Sequence, residues 1–288
     1  MLAVQKQRLL LVDGHAAAYR FFHGIRPMTT STGIPVQAVF GFIRLVQQLH
    51  RQLYPTYQAV AFDGGLPQSR LDLVPDYKAQ RKPMPDELRL QLPIIQEYLT
   101  AAGVPWVQRE AIEADDVIAT LARAFEGQVY IGTSDKDMYQ LVCDRIVIFP
   151  LSGKWVALDT DGIVKKTGVS PEQIPDWLAL IGDTADNIRG VPGVGPKTAT
   201  ALLKQFGNLD RLFDNLDAVQ REGLRKALRE HADIVWRNRE MVLLHAVDSL
   251  PATETLRVVP SRTDALLAFY EKYEFTSFAK AIRTPELF

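Results

Sequence analysis

Runs of consecutive apolar residues that stop at an acid set the rhythm of the first half of the chain. Arg8–Val12 is apolar from Leu9 onward and closes at Asp13-Gly14, which predicts a buried strand leading into a turn. Over Gln37–Leu53 the apolar residues Val39, Phe40, Ile43, Val46 and Leu49 recur at helical spacing, and Gln58–Phe62 is a second apolar run closed by Asp63-Gly64-Gly65. Strand, helix, strand is the rhythm of a parallel sheet. The segment Leu66–Pro85 interrupts it. Pro67, Pro75, Pro83 and Pro85 stand beside Arg70, Lys78, Arg81 and Lys82, and the stretch reads as a long, basic, exposed insertion of the kind that often carries function.

Beyond the insertion the spacing predicts a helix over Asp86–Ala102 with a kink at Pro93, a short strand at Val104–Val107 and a helix over Ala114–Phe125. A strand at Gln128–Gly132 then runs into Thr133-Ser134-Asp135-Lys136-Asp137, and Arg145–Phe149 with Trp155–Leu158 around Ser152-Gly153 predicts a hairpin at the sheet edge. From about Asp161 the pattern changes to short helices. Ser170-Pro171-Glu172-Gln173 has the cap, proline and glutamine of a helix start, and the helix through Ile181 delivers Asp183 and Asp186. Gly190-Val191-Pro192-Gly193-Val194-Gly195-Pro196-Lys197-Thr198 is a glycine-rich turn opening into a helix over Ala199–Phe206. The remainder is mostly helical, with irregular sequence near Pro251–Pro260. Neither an internal repeat nor a low-complexity segment occurs.

Composition narrows the class. At 288 residues and 47% hydrophobic content the chain can bury a large core, and a main α/β domain with a smaller appendage is expected. The single Cys143 excludes an intramolecular disulfide framework and a cysteine-rich zinc site. No apolar stretch approaches a membrane span and Met1–Arg8 lacks the apolar core of a signal peptide, so a soluble, cytoplasmic protein is expected. The formal net charge of -1 hides its distribution, because a basic rim around an acidic centre cancels in the sum.

The acids carry the candidate chemistry. Asp13 and Asp63 each admit two readings: a turn or helix-cap residue, or a ligand outside the carboxyl end of a strand, where α/β sheets bind. Glu113, Asp115 and Asp116 read either as a first helical turn favoured by the dipole or as repelling carboxylates relieved by a cation. Asp135 and Asp137 flank a lysine after a strand, and Asp183 and Asp186 lie three apart and share a face. Jointly they describe an oxygen-rich pocket for hard divalent ions. The turn at Gly190–Thr198 lacks the Walker spacing, yet its N–H groups suit a DNA phosphate, with a plain interhelical turn as the alternative. Lys78 and Arg81 read as phosphate clamps; Tyr77, Tyr19, Phe21 and Phe22, with Arg20, read as stacking platforms or as core.

Taken together, Leu10-Leu11-Val12-Asp13-Gly14-His15, Ala61-Phe62-Asp63, Tyr77-Lys78-Ala79-Gln80-Arg81, Glu113-Ala114-Asp115-Asp116, Ser134-Asp135-Lys136-Asp137, Gly182-Asp183-x-x-Asp186-Asn187 and Gly190 to Lys197 resemble the 5′ nuclease domain of bacterial DNA polymerase I and, more widely, the flap-endonuclease family. The resemblance runs from Arg8 to roughly the C-terminus. It implies a central, mostly parallel sheet flanked by helices, in a PIN-like or resolvase-like nuclease core at 1–160. A helical arch at about 66–86 belongs to that core, and a helical subdomain at 161–288 contains a helix–two-turn–helix module at about 176–206. It implies two Mg²⁺ ions, Mn²⁺ substituting: Asp13, Asp63, Glu113 and Asp115 serving the first and Asp115, Asp135, Asp137 and Asp186 the second, with Asp116 and Asp183 near or shared. Lys78 and Arg81 would act in catalysis. Tyr19, Arg20, Arg70, Tyr77, Lys82, Gly190, Gly193, Val194, Gly195, Lys197 and Thr198 would contact DNA, and K⁺ would sit at the module. The implied activity is 5′-3′ exonuclease and 5′-flap endonuclease action in replication and repair. The substrate would be DNA with a flap, nick or single-strand/duplex junction, and a polymerase, in cis or in trans, would be the partner. A non-catalytic junction-binding protein and a Mg²⁺-dependent phosphatase of small metabolites are the alternatives. The first makes the acids vestigial; the second leaves the basic insertion and glycine-rich turn without a role.

Overall fold

The computed structural model describes residues 7–151, 156–260 and 262–283. Their elements are β1 (Arg8–Asp13), α1 (Gly14–Gly24), α2 (Gln37–Leu53), β2 (Tyr57–Phe62), α3 (Gln68–Leu73), α4 (Asp86–Ala101), β3 (Trp106–Gln108), α5 (Ala114–Ala124), β4 (Gln128–Thr133) and β5 (Ile146–Pro150). The second half adds α6 (Thr160–Thr167), α7 (Ile174–Ile181), a two-stranded hairpin β6 (Gly182–Asp183) and β7 (Ile188–Arg189), α8 (Pro196–Phe206), α9 (Leu209–Asp214), α10 (Glu222–Glu230), α11 (Ala232–Val242), α12 (Thr263–Lys272) and α13 (Thr276–Arg283).

The five-stranded sheet has the order β3-β2-β1-β4-β5, and every pairing in it is parallel. The chain grows outward from β1 to β2 and β3, then crosses back to lay β4 and β5 on the other side. The β1/β4 boundary is therefore the topological switch point, where the loops at the strands' carboxyl ends part and leave a crevice. Register lines up the acids there. Asp13 pairs with Ala61, so Asp63 lies two residues beyond the Asp13 level; Val12 pairs with Gly132, which brings Thr133 to the Asp13 level and Asp135 two beyond it as well.

Successive strand residues feed opposite cores, as the strand period demands. Leu9, Leu11, Ala59, Ala61, Val129 and Ile131 face a core shared with α5 and with the helices of the second half, including Trp177, Leu178 and Leu202. Leu10, Val12, Val60 and Phe62 face the other core, against α2 and α4. Phe269, Tyr270, Tyr273 and Phe275 of the α12–α13 region join this second core beside Tyr98 of α4. The last two helices thus return to the α/β core, although in sequence they follow α6 to α11.

Three local points bear on the expected elements. The α1 helix starts directly at Gly14, capped by the Asp13 side chain, and it was not among the predicted elements because its run of alanines and aromatics lacks a clean period. β5 pairs parallel with β4, and Ile148 exchanges backbone hydrogen bonds with Leu158 in one antiparallel bridge, in keeping with the expected edge hairpin; its turn at Ser152 and Gly153, with Trp155, lies outside the described residues. The helix α4 continues through Pro93, which sits on its exposed face.

Candidate metal centre and nucleic-acid interface

Each acid is presented by a different element, and local hydrogen bonds set its direction. The Asp13 carboxylate ends β1; one oxygen accepts from the Ala16 N–H at 2.9 Å and the other from the Thr133 hydroxyl at 3.2 Å. Gly14 follows because a β-carbon there would lie 2.5 Å from the Phe62 ring and 2.9 Å from the Ala61 carbonyl. Asp63 follows β2 and accepts from the Ala114 N–H at 2.9 Å, which places it against the N-terminus of α5, where a carboxylate is favoured. Its own N–H donates to His15 Nδ1 at 3.0 Å, so that nitrogen is unprotonated, and burial pushes the His15 pKa down. Asp135 accepts from the Asp137 N–H at 2.9 Å, and Thr133 Oγ1 accepts from the Asp135 N–H at 3.1 Å.

Asp183 and Asp186 come from the second half, on the β6–β7 hairpin. Gly182 makes that hairpin possible: its φ is +73°, and a β-carbon would lie 2.3 Å from the Gly190 nitrogen. Asp183 caps the following turn through the Ala185 N–H at 2.9 Å and pairs with Lys136 at 3.2 Å. Carboxylate oxygens of Asp137, Asp183 and Asp186 lie within 4.8 Å of one another, and Asp137 Oδ1 is buried without a hydrogen-bond partner. An orphaned anionic oxygen in an all-oxygen cluster fits a hard divalent cation, which removes the cost of leaving it unpaired.

Electrostatics links the acids into two overlapping groups. Burial pushes the Asp13 carboxyl up to about 7, with Asp63 and Asp135 adding to the effect. Burial raises Asp115 well above the carboxylate range, reinforced by Asp135, Asp13 and Asp63. It likewise raises Asp137, reinforced by Asp135, Asp186 and Asp183, and raises Asp135, which also feels Asp186. Asp135 stands between the groups. Like charges crowded this closely ionise together only when cations share the space.

The insertion lies over this crevice rather than standing clear of it. Asn187 donates to the Asp76 carbonyl at 2.8 Å and Gln80 to that of Thr184 at 2.7 Å, clasping the insertion to the hairpin loop. Arg81 pairs with Asp186; Lys78, at φ +56°, pairs with Glu113 and reaches within 3.7 Å of Asp186. Two expected positions differ. Tyr77 is 3% exposed and its hydroxyl lies 3.2 Å from oxygens of both Glu113 and Asp186, so it is not an open stacking platform. Arg70 is 4% exposed and paired with Glu113 and Asp116, so burial withdraws it from DNA in this conformation. Only one short helix, α3, forms within 66–86.

Glu113 and Asp116 are brought near the crevice but are occupied: Glu113 by Arg70, Lys78 and Tyr77, Asp116 by Arg70 and the His245 N–H. Tyr19 is half-buried and stacks near His23, Arg20 and Lys82 are exposed, and Phe21 and Phe22 pack against the core. In the glycine-rich turn Gly193, Gly195 and Lys197 are exposed, Gly190 and Thr198 half-exposed, and Val194 buried. Pro196 opens α8, and Trp177 of α7 donates to Thr200 of α8 at 3.1 Å, locking the two helices around the turn. His15, Thr133 and Lys136 are the residues that sequence reasoning left without a role. Their only signal was position, each within two residues of an assigned acid.

Comparison with known proteins agrees with this architecture. Residues 8–168 match the family described as 5′-3′ exonuclease, N-terminal resolvase-like domain, and residues 169–263 match the 5′-3′ exonuclease, C-terminal SAM fold. The chain is 36% identical over 279 residues to a 5′-3′ exonuclease of Aquifex aeolicus, covering 95% of this chain and 94% of that protein. It is 39% identical over 276 residues to the thermostable DNA polymerase I of Thermus thermophilus, covering 94% of this chain but 33% of the polymerase. Among solved structures, the T5 D15 protein co-crystallised with metal ions shares its fold at a TM-score of 0.71 and 22% identity, over 96% of this chain and 98% of that one. The catalytic core of Rad2 in complex with DNA substrate does so at 0.65 and 19%, over 99% and 94%. With both family domains matched in order across a switch-point crevice lined by acids from each half, the chain belongs to the 5′-3′ exonuclease family.

Proposed function

We propose that the chain is a structure-specific 5′ nuclease, hydrolysing DNA phosphodiesters by 5′-3′ exonuclease and 5′-flap endonuclease action during replication and repair. The observation that carries this reading is the convergence of Asp13, Asp63, Asp115, Asp135, Asp137, Asp183 and Asp186 in one crevice beneath Lys78 and Arg81. Asp13, Asp63 and Asp115, with Asp135 shared, would hold one divalent ion; Asp135, Asp137, Asp183 and Asp186 would hold the other. Mg²⁺ suits the donors, and Mn²⁺ would substitute. Ions bound there supply an activated water and charge neutralisation on the scissile phosphate. Glu113 and Asp116 act one step back, through the residues that they hold.

The chain's own residues supply the rest. Lys78 and Arg81, paired with Glu113 and Asp186 at rest, can turn to the scissile phosphodiester, a monoanion whose charge grows as the water attacks, and so stabilise the charge developing on it. Thr133 and the N-terminus of α5 keep Asp13 and Asp63 in place. Tyr19, which feels the charges of Arg81 and Asp63, would contact the 5′ strand, with the exposed Arg20 and Lys82 as further contacts. The backbone of the exposed turn around Gly193, Gly195 and Lys197, with the half-exposed Thr198, would grip duplex phosphates without reading sequence, and K⁺ would bind at the same turn. Substrates are then chosen by structure: a flap, nick or junction. Polymerase relatives three times this chain's length support a polymerase partner, in cis or in trans, and action at the nucleoid. No helix among the described residues is long and apolar enough to cross a membrane.

Cleavage of an end-labelled 5′-flap duplex tests the reading. Wild type should cut in Mg²⁺ and stop in chelator; Asp135→Asn should lose roughly three orders of magnitude or more, and Lys78→Ala about two. Undiminished cutting by Asp135→Asn would overturn the metal assignment. Flap binding without cleavage in any divalent ion would instead favour a junction-binding protein.

A further inference from the structure

Arg70 is a buried cation at the base of the insertion, and its partners come from two distant parts of the chain. One guanidinium nitrogen pairs with Glu113, the N-cap residue of α5. The other lies 3.2 Å from Asp116 in the first turn of α5 and 3.4 Å from the carbonyl of Leu243, just past α11. The same Asp116 oxygen accepts the His245 N–H at 2.8 Å. Glu113 and Asp116 lie three apart and so share a face; Asp115, between them, is left to the crevice. Arg70 therefore sorts the three acids: it pairs with Glu113, which Lys78 also holds, and with Asp116, and it leaves Asp115 to the crevice.

The strap it holds leads to the other half of the crevice. Thr120 and Arg123 of α5 bind the Val247 N–H at 2.9 Å and the Leu244 carbonyl at 2.9 Å, and Gln140 bonds the Val242 carbonyl at 2.8 Å. The buried Asn238 of α11 donates to the carbonyls of Ala179 at 3.1 Å and Arg189 at 2.7 Å, on either side of the hairpin that carries Asp183 and Asp186. Half-buried polar contacts thus tie Arg70 and α5 to the 243–247 strap, the strap continues directly from α11, and the buried Asn238 of α11 ties that helix to α7 and β7.

From this series we infer that Arg70 is a positioning residue: with Asp116 it forms a joint that sets the hairpin acids against the core acids, and so the geometry of the ion pair, without touching DNA. The inference rests on the metal reading above. Losing one partner of a buried pair leaves the other charge uncompensated, which loosens the joint rather than merely weakening it. Supporting groups of this kind alter ion affinity by roughly 10–100-fold when removed.

The test compares wild type, Arg70→Met, Arg70→Lys and Asp116→Asn. Calorimetric titration with Mn²⁺ in the absence of DNA should show at least one ion bound roughly tenfold more weakly in Arg70→Met, with partial recovery in Arg70→Lys. Hydrogen exchange should quicken at residues 182–189 as well as at 243–247, with or without ions. On flap DNA kcat should fall while KM stays within about threefold, and flap affinity in chelator should not change. Two results would overturn the joint: a hairpin whose exchange is unchanged in every variant, or flap affinity that falls tenfold in chelator while ion binding is intact. If Arg70→Met does not fold, Arg70→Lys and Asp116→Asn decide by the same readouts. Failure of wild type to bind Mn²⁺ would count against the metal reading, and the exchange data alone would then settle the joint.

Discussion

Burial holds the Asp13 carboxyl up to about 7, and burial also lifts Asp115, Asp135 and Asp137, each with its neighbours' charges adding to it. An acid whose folded pKa is raised binds a proton more readily in the native state than in the unfolded chain, so its contribution favours folding at low pH. That contribution is complete below about 4 and is lost as pH rises towards 7. In chelator, the thermal midpoint should therefore fall between pH 5 and pH 8. Adding Mg²⁺ at pH 8 should restore it, because the ion replaces the protons. A midpoint that rises with pH in chelator would contradict the crowding of these acids. Tyr77 gives a second prediction at this scale. Burial pushes its pKa up, so the hydroxyl stays protonated and donates to Glu113 or Asp186. Tyr77→Phe should cost about 1–2 kcal/mol in urea unfolding and lower cleavage, because the insertion loses a buried tie to the crevice.

At the scale of elements, the β6–β7 hairpin is the most constrained part of the site. Gly182 and Gly190 pack backbone to backbone, with no room for a β-carbon at either position. Gly182→Ala should destabilise by about 1–3 kcal/mol and depress cleavage further than the stability loss explains, since Asp183 follows directly in the chain. Urea melts read beside single-turnover rates would check it; a rate unchanged in folded protein would show that the hairpin tolerates displacement. The parallel strands follow from uninterrupted apolar runs, and α2 matches its predicted bounds because its period is strong. The elements that escaped prediction are those whose pattern is short. The α1 helix and the two-residue strands make sense only when their packing partners are known.

For the whole molecule, the return of α12 and α13 to the α/β core closes the chain on itself. Tyr270 packs against Tyr98, Phe269 and Phe278 and is 2% exposed, though in sequence it follows α6 to α11. Tyr270→Ala should cost about 3–5 kcal/mol, and it should destabilise the sheet as much as the helices. Loss of protection confined to 263–283 in hydrogen exchange would instead mean that these helices are an independent layer.

By itself the sequence determined the strand–helix rhythm, the identity of the acids and the basic character of the insertion, because these depend on residues near one another in the chain. Only the tertiary structure decided which acids share a crevice. Asp137, Asp183 and Asp186 meet because the helical half packs on the sheet face that α5 covers, a contact between segments that no local pattern encodes. It also decided that Arg70 and Tyr77 lie buried in a segment whose prolines and charges predict exposure. The physical reason is common to both outcomes: a charge can leave water when partners from distant segments surround it, and such partners become neighbours only in the folded chain.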